Sequence, residues 1–216
     1  MNKFVAKISY LFDYVFYVVS IHFLWFIGLC LGLLVFGLVP STITTFRLAR
    51  LIQQDSDLAI AKLLTKWWAF FKDDLAKYWK NSLGFSLGAI VLILNYLYLQ
   101  QSQGFLLGVV FYVTLILMAF YIIALFWFAY LSANHIELSK FDTLKNAVSI
   151  PIVYVLEMIV LVVFLAAWYL LVSQLIPGLN IFSWYGVLCL ALNYAFGQIV
   201  EGNNLKKLNK LWKRMG

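Results

Sequence analysis

Apolar residues run almost unbroken through five stretches of the chain, about residues 14–39, 83–99, 105–132, 150–175 and 181–200. A helix rises about 1.5 Å per residue, so roughly 20 apolar residues cross the hydrocarbon core of a bilayer. The pattern predicts an all-α fold, a polytopic membrane helix bundle of about five transmembrane helices. The second stretch is marginal in length, and the third is long enough to tilt or project. Two of the links, 100–104 and 176–180, are short and uncharged, while region 40–80, loop 134–146 and tail 201–216 hold nearly all the charge. Residues 1–216 are expected to form a single membrane domain.

A different period appears between the first two runs. Over residues 57–80, Ile60, Leu64, Trp67, Phe71, Leu75 and Tyr78 recur every three or four positions, with Lys62, Lys66, Asp73, Lys77 and Lys80 on the other side. Asp73 and Lys77 make a favourable i,i+4 pair. Too polar to span and too apolar for free water, this segment is expected to lie as an amphipathic helix in the interface, its tryptophans at headgroup level. The tail repeats the design over about 203–214, with Leu205, Leu208 and Trp212 opposite lysines. Anionic membrane lipid is the expected partner of both helices, and docking to a cytoplasmic protein is the alternative.

The first run meets this helix through "FGLVPSTITTFRLARL", residues 36–51. Pro40 has no backbone N–H, so a helix commonly bends or restarts there. Ser41, Thr42, Thr44 and Thr45 can bond the backbone groups freed by a break, and Arg47 and Arg50 mark the headgroups. Two readings follow. Pro40 either ends a span with ordinary caps, or makes a structured elbow that aims the next helix.

Composition sharpens the setting. Of 216 residues, 64% are hydrophobic and 12% charged, where a soluble domain carries roughly a quarter charged. No soluble fold of this size hides that much apolar surface. The net charge of +7 would suggest nucleic acid in a soluble protein, but here the basic residues cluster just outside the apolar runs. That favours lipid headgroups, and no nucleic-acid partner is expected. Fourteen of the sixteen Lys and Arg residues fall in the three charged regions, against Lys3 and Lys7 before the first run. The positive-inside rule then places the N-terminus outside and the C-terminus in the cytoplasm. The first run is too long for a signal-peptide core and lacks a small-residue cleavage site, so it is read as a retained span. Cys30 and Cys189 sit far apart inside apolar runs and read as small hydrophobes.

Candidate chemistry is sparse. Gly28 and Gly32, Gly84 and Gly88, and Gly104 and Gly108 each place small residues one turn apart, a pattern common where membrane helices approach closely. The spacing alone does not separate contacts within the chain from contacts with another subunit. Glu157 is the only acidic residue well inside a run. A carboxyl there must be protonated, paired or facing water, with His22 as a basic partner in another run and Asn95, Asn193 and Gln198 as neutral ones. It serves either ion coupling or a hydrogen bond between helices. The chain has no phosphate-binding P-loop for ATP, no zinc-protease or serine-hydrolase motif, and two histidines, His22 and His135. No enzyme activity, metal or cofactor is expected.

The order of motifs resembles the YesL-like family of bacterial membrane proteins, a domain of unknown function. "GLVPSTITTFRLARL" followed by "KWWAFFKDDLAKYWKNSLG" is similar to that family's proline elbow, Arg-containing helix, aromatic segment and Asn-x-x-Gly start of the next span. Pro40, Ser41, Thr42, Arg50, Trp68, Phe71, Asn81 and Gly84 match those positions, and Arg47 and Trp67 lie within the same block. "LSANHIELSKFDTLKNAV" resembles the second cytoplasmic turn, so that the resemblance runs from about Trp25 to Val160. Genes of the family typically lie beside carbohydrate ABC importers and glycoside hydrolases in Gram-positive bacteria. The resemblance thus implies an accessory subunit in the bacterial plasma membrane that binds importer permeases and assists assembly or gating of glycan uptake. The alternative is an independent small-solute or proton-coupled carrier using Glu157.

Overall fold

The computed structural model describes residues 3–54, 60–101, 104–134, 138–175 and 177–202. Among these there is no strand. The helices are α1 (Lys3–Leu31), α2 (Leu38–Gln54), α3 (Ile60–Gln100), α4 (Phe105–Asn134), α5 (Lys140–Val153), α6 (Val155–Leu175) and α7 (Pro177–Gly202). Four stretches are long and apolar enough to cross a bilayer, within Tyr14–Leu31, Ala61–Gln100, Phe105–Asn134 and Val155–Gln174. In α7 the apolar stretch Trp184–Val200 is shorter. The protein is an all-α, multi-pass membrane protein. The tail helix expected over 203–214 lies outside the described residues.

The chain divides into two compact units, residues 1–22 with 159–216, and residues 23–158. In the first, α1 and α7 meet backbone to backbone. The Val18 carbonyl oxygen stands where any side chain on Gly186 would begin. Around that contact Tyr17, Val18, Ile21, Cys189, Leu190 and Phe196 are buried, and Tyr169 meets Trp184 edge-on at 4.9 Å.

The second unit is organised by helices longer than a bilayer is thick. α3 has 41 residues, about 60 Å of helix, but no charged side chain occurs from Ser82 to Gln100, about 28 Å. Only that second half suits hydrocarbon, and the first half projects beyond it. α4 runs antiparallel beside it. Asn95 donates to Thr114 (3.2 Å), Tyr96 stacks on Phe111, Tyr121 donates to the Phe85 carbonyl, and Tyr78 meets Phe128 edge-on. Burial follows the same division. Residues 105–117 of α4 are nearly all exposed, whereas Trp127, Phe128, Ala129 and Leu131 are wholly buried. The core of this unit therefore lies at the projecting end of α3, and the other end exposes apolar surface suited to lipid.

α2 fills that core, packed on α3 and α4. It is the least apolar of the helices, yet Val39 to Phe46, Leu48, Ala49 and Ile52 are all buried. A helix of this composition is unsuited to lipid and suited to the middle of a protein body outside it.

Three boundaries differ from those the hydrophobic pattern suggests. The first run does not continue to residue 39 and break at Pro40. It ends at Leu31, and the chain reverses through residues 32–37, where Leu33 and Leu34 take positive φ angles of 52° and 60°. Apolar composition continued through this turn and concealed it. Pro40 is the third residue of α2, in the first turn, where a missing N–H costs least. The segment 57–80 is not a separate surface helix, since from Ile60 it is continuous with the second span. The fourth run does not begin at Ile150. Residues 140–153 form α5, Pro151 removes one N–H from its last turn, and the helix stops at Tyr154 (φ −109°, ψ 41°) before α6 starts.

Candidate functional site

The projecting half of α3 has three faces. Leu63, Trp67, Phe71, Asp74, Tyr78 and Ser82 are buried at intervals of four, four, three, four and four residues. This stripe meets the protein. It is offset from the expected one, because Leu64 is 48% exposed and Leu75 only half-buried. A second stripe carries Leu64, Trp68, Lys72 and Trp79, with Lys72 Nζ 5.5 Å over the Trp68 ring and Lys80 Nζ 5.4 Å over that of Trp79. Trp68 and Trp79 are eleven residues apart, three turns, and so share a side of the helix. Each is more than 40% exposed. Lys62, Lys66 and Asp73 occupy the third, exposed face.

Asp74 sits in the apolar protein-facing stripe, and α2 supplies its answer. Arg47 Nη2 lies 3.0 Å from Asp74 Oδ1 and Nη1 lies 3.3 Å from Asp73 Oδ2, so one guanidinium is shared by two carboxylates. The Asp74 side chain is fully buried, Arg47 is 14% exposed and Asp73 66%. Thr44 donates to Asp74 Oδ2 (2.9 Å), and the Phe70 ring packs 5.6 Å from the guanidinium. The Nη2 contact is an ion pair without an aligned N–H, so Asp74 Oδ1 accepts no hydrogen bond, and Arg47 Nε also makes none. Asp74 stands seven residues before Asn81, about 10 Å outside the charge-free stretch. Burial pushes its carboxyl up to about 7, against the pull of Arg47 and the Thr44 hydroxyl.

The turn before α2 is stitched to α3. Ser82 Oγ accepts from the Val39 N–H (3.1 Å) and donates to the Val35 carbonyl (2.8 Å), and Ser86 Oγ donates to the same carbonyl (2.8 Å). With Pro40 lacking an N–H and Ser41 N bonded to Gly37 O, the first turn of α2 is satisfied. Of the elbow hydroxyls, Thr42 and Thr45 donate to carbonyls four residues back, and Thr42 also accepts from Trp25 Nε1 (3.3 Å). Ser41 Oγ is buried against Gly28, where a Cβ would stand 2.6 Å away.

The structure thus brings Pro40, Ser41, Thr42, Arg47, Trp67 and Phe71 into one buried body, with Trp67 stacked on Phe71 at 5.6 Å. Arg50 and Trp68 point out of it. Asn81 is half-buried on α3. The small residues divide. Gly28 meets Ser41 and Phe71, Gly32 meets Gly37, and Gly88 meets Tyr121, whereas Gly84, Gly104 and Gly108 have nothing within 4 Å of a Cβ position. Glu157 is exposed in the first turn of α6, in the second unit, and His22 is half-buried on α1, in the first. Among the described residues no three His, Cys, Asp or Glu could hold a metal ion.

Asp74, Ser82 and Ser86 are absent from the candidates that the sequence suggested. The signal for Asp74 was its register: it falls at the interval that links Phe71 to Tyr78. Nothing local marks the two serines, whose partners lie more than 40 residues away.

These features define an all-α, multi-pass membrane protein. Residues 18–96 match the family described as protein of unknown function, DUF624, which is the YesL-like domain. The matched stretch contains α2, its turn, the Arg47 cluster and nearly all of α3. No curated protein and no solved structure matches the chain.

Proposed function

We propose that the protein is a non-enzymatic accessory subunit that docks a membrane partner through the projecting half of α3. The observation that carries this reading is the stripe of Leu64, Trp68, Lys72 and Trp79. A helix leaving the bilayer at Asn81 takes Trp68 about 19 Å beyond the charge-free stretch, too far for its exposed ring to be covered by the lipid α3 itself crosses. Exposed tryptophans are typical anchors of protein interfaces. The Arg47 cluster holds α2 against the opposite side of α3, so the stripe is presented on a rigid support. The partner class comes from the resemblance to the YesL-like family: permease subunits of a carbohydrate ABC importer, with assembly or gating of glycan uptake as the role. The charge asymmetry supports a plasma-membrane orientation with this body and the C-terminus in the cytoplasm and the N-terminus outside. Glu157, exposed where α6 begins, does not support a carrier built on that residue.

The test is recovery of importer permeases with the tagged protein from native membranes. Trp68→Glu should keep membrane level and thermal stability and lose permease recovery. Equal recovery with Trp68→Glu, or none with the wild type, rejects the reading.

A further inference from the structure

α5 turns an apolar stripe outward. Its buried residues are Thr143, Asn146, Ala147, Ile150 and Pro151, two of them polar, while Phe141, Leu144, Val148 and Ile152 are 75, 40, 39 and 61% exposed. The exposed residues follow one another at three- and four-residue intervals and form one stripe. A helix facing water shows the opposite arrangement.

Its ends locate it relative to the bundle. At the start, Lys140 Nζ donates to the Lys77 carbonyl (2.8 Å) and lies 5.7 Å over the Tyr78 ring. Beyond the end, Met158 Sδ accepts from Trp127 Nε1 (3.4 Å). Tyr78 meets Phe128 at 6.1 Å, so both contacts fall in the same layer, next to the point where α3 leaves its charge-free stretch. From residue 140 to 153 α5 rises about 20 Å, and the break at Tyr154 follows before Met158 is reached. Allowing several ångströms for side-chain reach, at most about half of that rise runs along the bundle axis, and the rest runs across it. The exposed stripe is also continuous with lipid-facing surface, because Val153 at the end of α5 and Val155 and Leu156 at the start of α6 are each more than 50% exposed. Ser139 caps the first turn by accepting from Asp142 N (3.1 Å), so α5 starts as an independent helix rather than as a frayed end of the next span.

We propose that α5 is seated obliquely on the bilayer surface, with Phe141, Leu144, Val148 and Ile152 sunk into lipid at the boundary of headgroups and acyl chains. Lys140 and Lys145 then lie beside the stripe at headgroup level, the arrangement of an interfacial amphipathic helix. This goes beyond the docking role proposed for α3 and does not depend on it.

Spin labels on single cysteines at 141, 144, 148 and 152, in a Cys30→Ser, Cys189→Ala background reconstituted in vesicles, report both environment and depth. All four should collide with oxygen in preference to a water-soluble nickel chelate. Their depths should span less than half of the roughly 16 Å that an axial helix of eleven residues would cover. Chelate-accessible labels at 141 and 144 would place the stripe in water. Labels shielded from both reagents would place a protein on it, and a full depth ramp would make α5 part of a span. Each of these results overturns the proposal. Should the cysteine-free background fail to fold, a photoreactive benzoylphenylalanine at Phe141 or Leu144 in the otherwise native chain should yield lipid adducts in native membranes. Adducts to protein, or none to lipid, refute it.

Discussion

Removing the guanidinium that two carboxylates share tests the physical account of the α2–α3 contact. In Arg47→Met the side chain keeps much of its apolar bulk against Phe70, but Asp74, fully buried, loses its cation. Breaking a buried ion pair from one side costs about 3–5 kcal/mol. Asp74 can escape part of that by holding a proton, and this makes the loss dependent on pH. The sign follows from the direction of the shift. A carboxyl raised in the folded state binds a proton that the unfolded state has released. Its contribution to stability is complete below the ordinary aspartate range, near 3.9, and falls by about 1.4 kcal/mol per pH unit until the folded pKa is passed. In the wild type that fall should end near pH 7, because burial and Arg47 together leave the carboxyl at about 7. Without Arg47 the carboxyl is raised further and the window extends upward. Between pH 7 and 8.5 the wild type should therefore hold its midpoint while Arg47→Met continues to lose it. The assay is the apparent melting midpoint in detergent, read by fluorescence-detected size exclusion across that range. Arg47→Met/Asp74→Leu, which removes both charges, should recover most of the loss and show no dependence on pH from this site. Parallel profiles for wild type and Arg47→Met, or a double variant no better than the single one, would refute the reasoning.

Asp73 is a control for the same cluster. With its carboxylate 66% exposed, Asp73→Ala should cost at most about 1 kcal/mol, read as a small midpoint shift in the same assay. The glycines should separate by environment. Gly28→Leu drives a side chain into Ser41 and Phe71 and should cost about 1–3 kcal/mol or more, whereas Gly84→Ala meets nothing and should stabilise the helix by up to about 1 kcal/mol. Thermal midpoints of the two variants decide this. Pro40→Ala should change both stability and permease recovery little, since the chain has already turned at residues 32–37 before the proline is reached. Leu34→Gly acts on the turn itself and should recover about 1 kcal/mol by removing the cost of a positive φ from a side-chain-bearing residue. A lower midpoint for Leu34→Gly would show that packing of the leucine outweighs its backbone.

The membrane setting and the all-helical class could be read from residues alone, because the cost of burying charge in hydrocarbon acts locally and leaves a run of fixed minimum length. Lys80 and the charge-free stretch after it are a signal of this local kind. The same local rule concealed the turn at residues 32–37. Leu33, Leu34 and Phe36 are as apolar as the helix before them, and only the serines of α3 show why the chain can reverse there. Tertiary structure also decided which of two overlapping stripes on α3 faces protein. A period of three and four fits Leu64 and Leu75 as well as it fits Leu63 and Asp74, and the choice was made by Arg47 and Thr44 on a helix some thirty residues earlier. Composition suggested that polar α2 lies at a headgroup boundary. It lies instead within the buried core, where Thr42 and Thr45 bond carbonyls of their own helix, Thr44 bonds Asp74, and Arg47 pairs with two carboxylates of α3. For α5, a charged sequence read as a loop became a helix with its apolar side outward, since the surroundings of a membrane protein change from lipid to water within a few residues.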